Sequence, residues 1–343
     1  MDFASARKRI VLRRLSFPGL FPIADIPWTS DGGTLSLSAS ASVKAQARWT
    51  HNGGDISSGD VVRLSCEFDD GREREEIPLA TLKCFYGVTG ERGGLSSCDI
   101  EAYGLAKIAA DARYWQPYSV RAGTDALDAV SDVLGSVGLA LAYRPDESHP
   151  VRTSKTYFPE DFSKLDIVND LLNGAGYLSA DTDELGRVVL RRSAPTPSWA
   201  PVELAPGPRS TIEDESAVER DWAGICNVVI GVVDGPDDEV MRAVAVNDSP
   251  ADPTSTVARG EVCRVERLND IESQDVLQAK VASLLSEERS RLEAVRVRCA
   301  FAPLRLFGPV TVRKGSADGV YTVQSLEVDL RTMAMDVRAR RYL

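Results

Sequence analysis

The sequence has little of what enzyme active sites use. It holds only two histidines, His51 and His149, and it has no H-E-x-x-H metal motif, no G-x-S-x-G nucleophile elbow and no phosphate-binding glycine loop. These absences argue against a zinc protease, a serine hydrolase and a nucleotide-binding enzyme. Both histidines stand in turn-like surroundings, so we expect them on surface loops. The sequence predicts a protein that is not an enzyme.

Metal-binding and disulfide patterns are absent as well. The six cysteines include no C-x-x-C pair and have no histidine at metal-ligand spacing. Most of them fall in β-like runs, where a free cysteine behaves as a small apolar side chain. We therefore expect buried thiols in a reducing compartment, with no metal and no other cofactor. The cysteines are Cys66, Cys84, Cys98, Cys226, Cys263 and Cys299.

Long apolar runs are also lacking. No stretch approaches the roughly 20 residues that a membrane span needs, and the first 15 residues lack the apolar core of a secretory signal. We expect no transmembrane segment, and synthesis and assembly in a cytoplasm.

Basic residues are outnumbered, since 40 Lys and Arg face 51 Asp and Glu and give a formal net charge of -11. Affinity for nucleic acid comes mainly from Lys and Arg, so stable nucleic-acid binding is not expected. Arg7, Lys8 and Arg9, with Arg13 and Arg14, are a local exception. We interpret this cluster as a solvated or partner-facing arm.

The distribution of periodic segments predicts an α+β fold with two β-barrel domains and an inserted α/β domain. Residues 1–30 contain three prolines and predict an irregular arm. Residues 31–98 alternate like strands and predict the first barrel, and residues 99–192 predict the insert, beginning with a helix capped by Asp99. Residues 193–208 predict a Pro-rich linker, and residues 209–343 predict the second barrel. One helix, predicted over residues 273–291, interrupts this barrel. Its apolar face is predicted to consist of Val276, Ala279, Val281, Leu284 and Leu285.

Inside the insert, residues 127–138 (LDAVSDVLGSVG) repeat as residues 165–176 (LDIVNDLLNGAG). Each copy predicts an amphipathic helix, capped by Thr124 in the first copy and by Ser163 in the second. A strand is predicted after each helix, over residues 139–143 and 177–180, and the second copy ends in a hairpin with a loop over 181–186. Leu134 and Leu172 are expected to face one shared core.

The order of these features resembles the tail hub proteins of long-tailed bacteriophages, also called minor tail or baseplate hub proteins, especially those of phages of actinobacterial hosts. The resemblance covers residues 30 to 343. The chain departs from the family pattern at Ala80, where glycine is usual, and at Phe307 and Gly308, where an acidic residue is usual. The segments that carry the resemblance are 77–85 (IPLATLKCF), 122–127 (AGTDAL), 171–177 (LLNGAGY), 227–230 (NVVI), 246–255 (VNDSPADPTS) and 340–342 (RRY).

The resemblance implies a structural virion protein of the tail tip, a homotrimer in which each subunit contributes two tube-like barrels to a six-fold tail tube. It implies as partners the distal tail protein ring, the tape measure protein and other tail-tip or fibre proteins. DNA would pass through the central channel only transiently, during ejection.

A channel that passes DNA is expected to be acidic, since carboxylates repel phosphate over about 10 Å. The candidate channel-lining residues are Glu213, Asp214, Glu215, Asp234, Asp237 and Asp238. Trp199, in the Pro-rich linker, is the candidate intersubunit contact.

Two alternative functions are compatible with the sequence. Abundant carboxylates in turns, such as Asp69, Asp70, Asp181 and Asp183, could serve a tail-associated cell-wall hydrolase. Five scattered tryptophans could serve a host-carbohydrate-binding module, although single tryptophans are more often core or interface residues.

Overall fold

The computed structural model describes residues 3, 6–53, 56–92, 95–192, 201–206, 212–220, 224–234, 240–268, 271, 273–290 and 293–341. The strands of the first half are β1 (Arg7–Leu15), β2 (Pro22–Ile26), β3 (Gly33–Ser38), β4 (Ala45–Asn52), β5 (Val61–Asp69), β6 (Arg74–Arg92), β7 (Leu95–Gly104), β8 (Tyr118–Val120), β9 (Lys155–Tyr157), β10 (Asp181–Thr182) and β11 (Val188–Val189). Those of the second half are β12 (Val202–Leu204), β13 (Ile212–Arg220), β14 (Val228–Asp234), β15 (Val240–Val246), β16 (Cys263–Leu268), β17 (Glu293–Cys299), β18 (Pro309–Lys314), β19 (Ala317–Asp329) and β20 (Met335–Arg341). The helices are α1 (Ala106–Asp111), α2 (Ala126–Gly135), α3 (Lys164–Gly174), α4 (Thr256–Arg259) and α5 (Gln274–Ser290).

Thirteen strands form one mostly antiparallel sheet that joins the two ends of the chain. Its order is β13-β17-β20-β19-β3-β4-β7-β6-β5-β1-β2, with β18 beside β19 and β12 parallel to β18. The junction is the pairing of β3 with β19, in which Leu35 lies opposite Val328. Among the described residues the order does not close on itself, so two separate barrels are not confirmed.

One hydrophobic core lies along this sheet and includes residues of both halves. Leu35, Ile100 and Phe68 come from the first half, and Tyr321 and Val337 come from the second, all almost fully buried. The strands that the sequence places in two barrels therefore share one buried interior in this structure.

Two segments differ from the sequence expectation. The irregular arm is a wrong prediction for β1 and β2, because Ile10 and Leu12 alternate with Arg9 and Arg13 and β1 pairs with β5 over its whole length. The helix cap at Asp99 is also wrong. Asp99 lies within β7, which hydrogen-bonds to β4 and β6 on its two sides, and the helix begins only at Ala106.

The repeated helices of the insert form as predicted and pack together. Ser163 caps α3 in a capping box with Asp166, whereas Asp125, not Thr124, accepts the capping hydrogen bonds at α2. Leu134 and Leu172 lie in the same core, 1% and 0% exposed, which confirms the predicted shared interior.

The strands predicted at 139–143 and 177–180 are wrong, since these segments make only isolated bridges. The hairpin is instead the two-residue pairing of β10 with β11, and its loop ends at Gly186, whose φ of 85° favours glycine.

A second, smaller sheet has the order β15-β14-β16, with β16 parallel to β14. Helix α5 covers one face of it through Leu277, Val281 and Leu285. Ala279, predicted on the apolar face, is exposed, because the helix turns Leu277 toward the sheet instead.

Gly231 sets the spacing between β14 and α5. A Cβ atom added there would lie 2.4 Å from Val281 Cγ2 and 3.1 Å from Leu277 Cδ1. We expect Gly231→Ala to lower the free energy of unfolding by about 1–3 kcal/mol, because the helix must move away from the sheet. Urea denaturation measures this change. Gly135→Ala, at the open end of α2 with nothing within 4 Å, is the control and should be neutral or stabilising. Equal effects at both sites would refute the close-packing explanation.

Candidate assembly interface

On the face of the small sheet that points away from α5, valines dominate and Arg242 and Arg267 flank Val232, and no described element covers this face. Val240, Val244, Val246 and Val265 are 47–62% exposed. Val244 lies opposite Ile230, which in turn lies beside Val265, so the side chains are contiguous across all three strands. We call this surface the valine face, made of Ile230, Val232, Val240, Val244, Val246 and Val265. Protein–protein contacts commonly form at contiguous exposed apolar patches, so this surface is the candidate interface.

The backbone edge of the same sheet is protected along β15. The side-chain amide of Gln274 donates to the Arg242 carbonyl at 2.8 Å, and that of Gln278 donates to the Val244 carbonyl at 3.2 Å. The spacing of four residues places both glutamines on one side of α5. Helix α5 therefore shields the β15 edge of the sheet from strand addition.

The strand order of the large sheet ends at β13 on one side and at β2 on the other. β13 carries three of the predicted channel-lining residues. Glu213, Asp214 and Glu215 lie within β13, at a break in register between Ile212 and Ser216. Asp234 ends β14, in the other sheet. The structure therefore does not bring the predicted acidic residues to one strand. Asp237, Asp238 and Trp199 lie outside the described residues.

A buried carboxylate ties together the strands next to β13. Glu293 accepts hydrogen bonds from Tyr321 at 2.6 Å, Arg341 at 2.7 Å and Arg220 at 2.9 Å, and is 6% exposed. Burial raises the pKa of the Glu293 carboxyl, but these three hydrogen bonds outweigh it and hold the pKa below its ordinary value. The cluster fixes β13 to β17, β19 and β20.

A second ionic cluster joins the insert to the large sheet. Asp181 lies 3.5 Å from Arg191, and Lys44 donates to the carbonyls of Ala39 and Ala41. Lys44 and Arg191 both lie over the ring of Phe307. Burial raises the pKa of Asp181 and lowers that of Lys44. These groups hold the insert against the large sheet.

Most of the histidines and cysteines that the sequence analysis considered are buried in the folded chain. Both histidines are buried, 1% and 9% exposed, so the surface-loop prediction is wrong; His51 lies within β4, close to Thr29. Five cysteines are buried as predicted and Cys263 is exposed. Among the described residues no group of His, Cys, Asp and Glu could hold a metal ion.

The tryptophans do not form one carbohydrate platform in the part of the chain that is described. Trp28 packs against Trp49 in the core of the large sheet, with ring centroids 5.9 Å apart. Trp115 is 98% exposed on a loop of the insert, and Trp222 lies outside the described residues. No helix in the described part is both long and apolar enough to cross a membrane.

No family model and no curated protein sequence matches the chain. Solved structures do. The tail protein from Neisseria meningitidis MC58 is similar with a TM-score of 0.68 and 13% identity, over 97% of this chain and 96% of that one. The 43 kDa tail protein of prophage MuSo2 from Shewanella oneidensis has a TM-score of 0.66 and 12% identity, over 98% of both chains.

A third similar structure is the prophage tail protein gp18 from Listeria monocytogenes EGD-e, with a TM-score of 0.57 and 10% identity over 96% of this chain and 94% of that one. In all three cases the similarity spans nearly the full length of both chains. The chain therefore has the fold of phage tail proteins, as the resemblance in its sequence predicts.

Proposed function

We propose that this chain is a structural tail-tip hub protein, a minor tail protein of a long-tailed phage. Three copies form a ring that joins the tail tube and the distal tail protein ring to the tip. The ring holds the end of the tape measure protein and leaves a channel for DNA ejection. The protein is assembled in the cytoplasm of the bacterial host and functions in the virion.

The observation that carries this proposal is the valine face, on a chain whose fold is that of phage tail proteins along nearly its whole length. A monomer would leave this face in water, at a cost of about 25 cal/mol for each Å² of apolar surface. Burial against a neighbouring tail subunit removes that cost. Structural assembly therefore explains the surface better than catalysis does.

Several details belong to the same proposal. The five-part division at residues 30, 98, 192 and 208 stays a prediction, as do two tube-like barrels per subunit arranged around a six-fold tube. Channel lining by the acidic residues of β13, Asp234, Asp237 and Asp238 and an intersubunit contact at Trp199 also stay predictions. Other tail-tip or fibre proteins are the remaining expected partners, and DNA is expected to bind only in transit.

The trimer is tested by light scattering. We expect the purified chain to have three times the monomer mass of 37.2 kDa at micromolar concentration, and three-fold rings in electron micrographs. A monomer that persists in low and physiological salt would contradict self-assembly. Cell-wall hydrolysis by the same preparation would instead favour the enzymatic alternative.

The valine face is tested separately, with Val244→Ser and Val265→Ser combined. Both side chains are about half exposed or more, so we expect the melting temperature of the isolated chain to stay within a few degrees. Incorporation into tails in a complementation assay should fall by about tenfold or more, because the neighbouring subunit loses an apolar contact. Normal incorporation would show that the face is not an interface. Val257→Ser, 65% exposed on α4, is the matched control.

A further inference from the structure

The parallel pairing in the small sheet favours cover on both of its faces. β14 and β16 run parallel from Val228 opposite Cys263 to Val233 opposite Leu268. Parallel strands occur mostly in sheets that are covered on both sides, because the connections between such strands lie over the faces. Helix α5 covers one face, and the valine face has no cover within the described part of the chain. One covering layer is therefore missing there.

The size of the valine face indicates what that layer is. Strands lie about 4.8 Å apart and residues advance about 3.3 Å along a strand, so the face is roughly 15 Å wide and 20 Å long, on the order of 300 Å². A stable contact between two globular chains buries about 800 Å² on each side. The face is too small to hold two copies together by itself. It matches one α-helix of about three to four turns, which is about 10 Å across and roughly 20 Å long.

The described helices of this chain do not fit the valine face. The apolar residues of α1, α2 and α3 lie in the core of the insert, and those of α5 lie against the small sheet. Among the described residues, the large apolar side chains that are exposed on a helix are limited to Val257 of the four-residue α4. A second copy of the chain therefore offers no described helix with a free apolar stripe.

The charge at one end of the valine face gives a docked helix its direction. Arg242 and Arg267 flank Val232 at this end, and Asp234 follows in the last row, whereas the row of Val228 at the other end has no charged residue. In the described part of the chain no carboxylate pairs with the guanidinium of Arg242. The C-terminal end of a helix carries partial negative charge and unpaired carbonyl oxygens. A helix that ends beside Arg242 is therefore favoured.

From these observations, and on the basis of the proposed function, we infer that the valine face binds one amphipathic α-helix of a different tail protein. The helix has about three to four turns, presents its apolar stripe to the valines and has its C-terminal end beside Arg242. The small sheet then becomes the middle of three layers, with α5 on one face and the docked helix on the other.

Crosslinking in assembled tails tests this inference with the full-length chain. Photoreactive p-benzoylphenylalanine replaces Val244 in one variant, Val265 in a second, and Val257, which lies on α4 outside the face, in the control. The variants are assembled in the complementing host and irradiated, and mass spectrometry identifies the residues that each position contacts. We expect Val244 and Val265 to crosslink to one protein other than this chain. The crosslinked residues should lie three or four apart, the spacing along one side of a helix.

The crosslinks can also contradict the inference. Crosslinks from Val244 or Val265 to another copy of this chain would show that the face is a contact between copies. Partner residues at every second position would show a strand instead of a helix. No crosslinks, or a scatter equal to that from Val257, would show that no single partner covers the face. Each of these results would overturn the docked helix.

Arg242→Glu tests the direction of the helix. It places a negative charge beside the negative end of the docked helix, so the yield of the Val244 crosslink should fall about fivefold or more. Arg242→Lys keeps the positive charge and should keep most of the yield. The melting temperatures of both variants show whether they fold. Equal yields from the two folded variants would overturn the placement of the C-terminal end.

Light scattering separates this inference from the proposed trimer. The combined Val244→Ser and Val265→Ser variant should keep the wild-type mass, because the face is not a contact between copies. A trimer that dissociates on this change would overturn the docked helix and support the ring. A wild-type monomer would overturn the ring, whereas crosslinks at helical spacing to a second protein would support the docked helix in either case.

Discussion

Replacing Glu293 by Gln should lower the free energy of unfolding by about 3 kcal/mol, one of the two largest effects we expect from a single substitution. The amide keeps the size of the side chain but removes the charge that holds Arg220, Arg341 and the Tyr321 hydroxyl. Removing one member of a buried ion pair leaves its partners poorly satisfied. The two arginines are partly solvated. We therefore expect the loss of stability to lie at the lower end of the range for breaking a buried ion pair.

The pH dependence of stability follows from the same carboxylate. Its pKa in the folded chain is below the ordinary value of 4.5, so the folded state favours the charged form. The stabilisation is present above pH 4.5 and is lost as the pH falls through the folded pKa. Glu293→Gln should lose less stability on acidification than the wild type. Urea titrations at pH 7 and at pH 3–4 measure both effects, and Glu327→Gln, exposed on β19, is the control. A Glu293→Gln chain as stable as the control would refute the role of the cluster.

Leu172→Ala should cost about 2–5 kcal/mol in the free energy of unfolding. The side chain is 0% exposed and shares a core with Leu134 between α2 and α3, so truncation leaves a cavity that rigid helices fill poorly. Denaturant unfolding followed by circular dichroism measures the loss. Val257→Ala, at an exposed position, should change stability by less than about 0.5 kcal/mol. An unchanged melting temperature for Leu172→Ala would mean that the two helices do not share a core in solution.

The sequence predicts the insert helices well because their signals are local. Ser163 and the spacing of Leu165, Val168 and Leu172 specify both the start of α3 and its buried face within one short segment. Strands with clear alternation, such as β5 and β15, are likewise visible in the sequence.

What the sequence could not predict depends on distant partners. β1 is rich in arginine, so its sequence alone predicts a solvated arm. Its strand conformation depends on pairing with β5, which is distant in the sequence. β7 has a helical pattern at its end, and its pairing with β4 and β6 overrides that preference. Nothing near Leu35 shows that its strand will meet β19, so the single sheet could not be foreseen.

The valine face was not predicted from the sequence, because it too depends on contacts between distant segments. Val244 and Val265 look like ordinary strand residues, and which face α5 covers depends on the close approach allowed by Gly231. A possible signal was the density of valine on both faces of β14 and β15, which exceeds what one covered face requires.

The pairing of β3 with β19 has a consequence for biosynthesis. Ser38 and Ser325 are register partners roughly 290 residues apart, so the ribosome makes β3 about 15–60 s before its neighbour at ordinary elongation rates. During that interval the nascent N-terminal half has β3 paired only with β4, so one edge of β3 and the interior shared with the second half remain open. Nascent chains on one messenger are close together and can exchange such strands. Newly made chains should therefore depend on chaperones until translation ends, and a chain truncated before residue 317 should accumulate in the insoluble fraction.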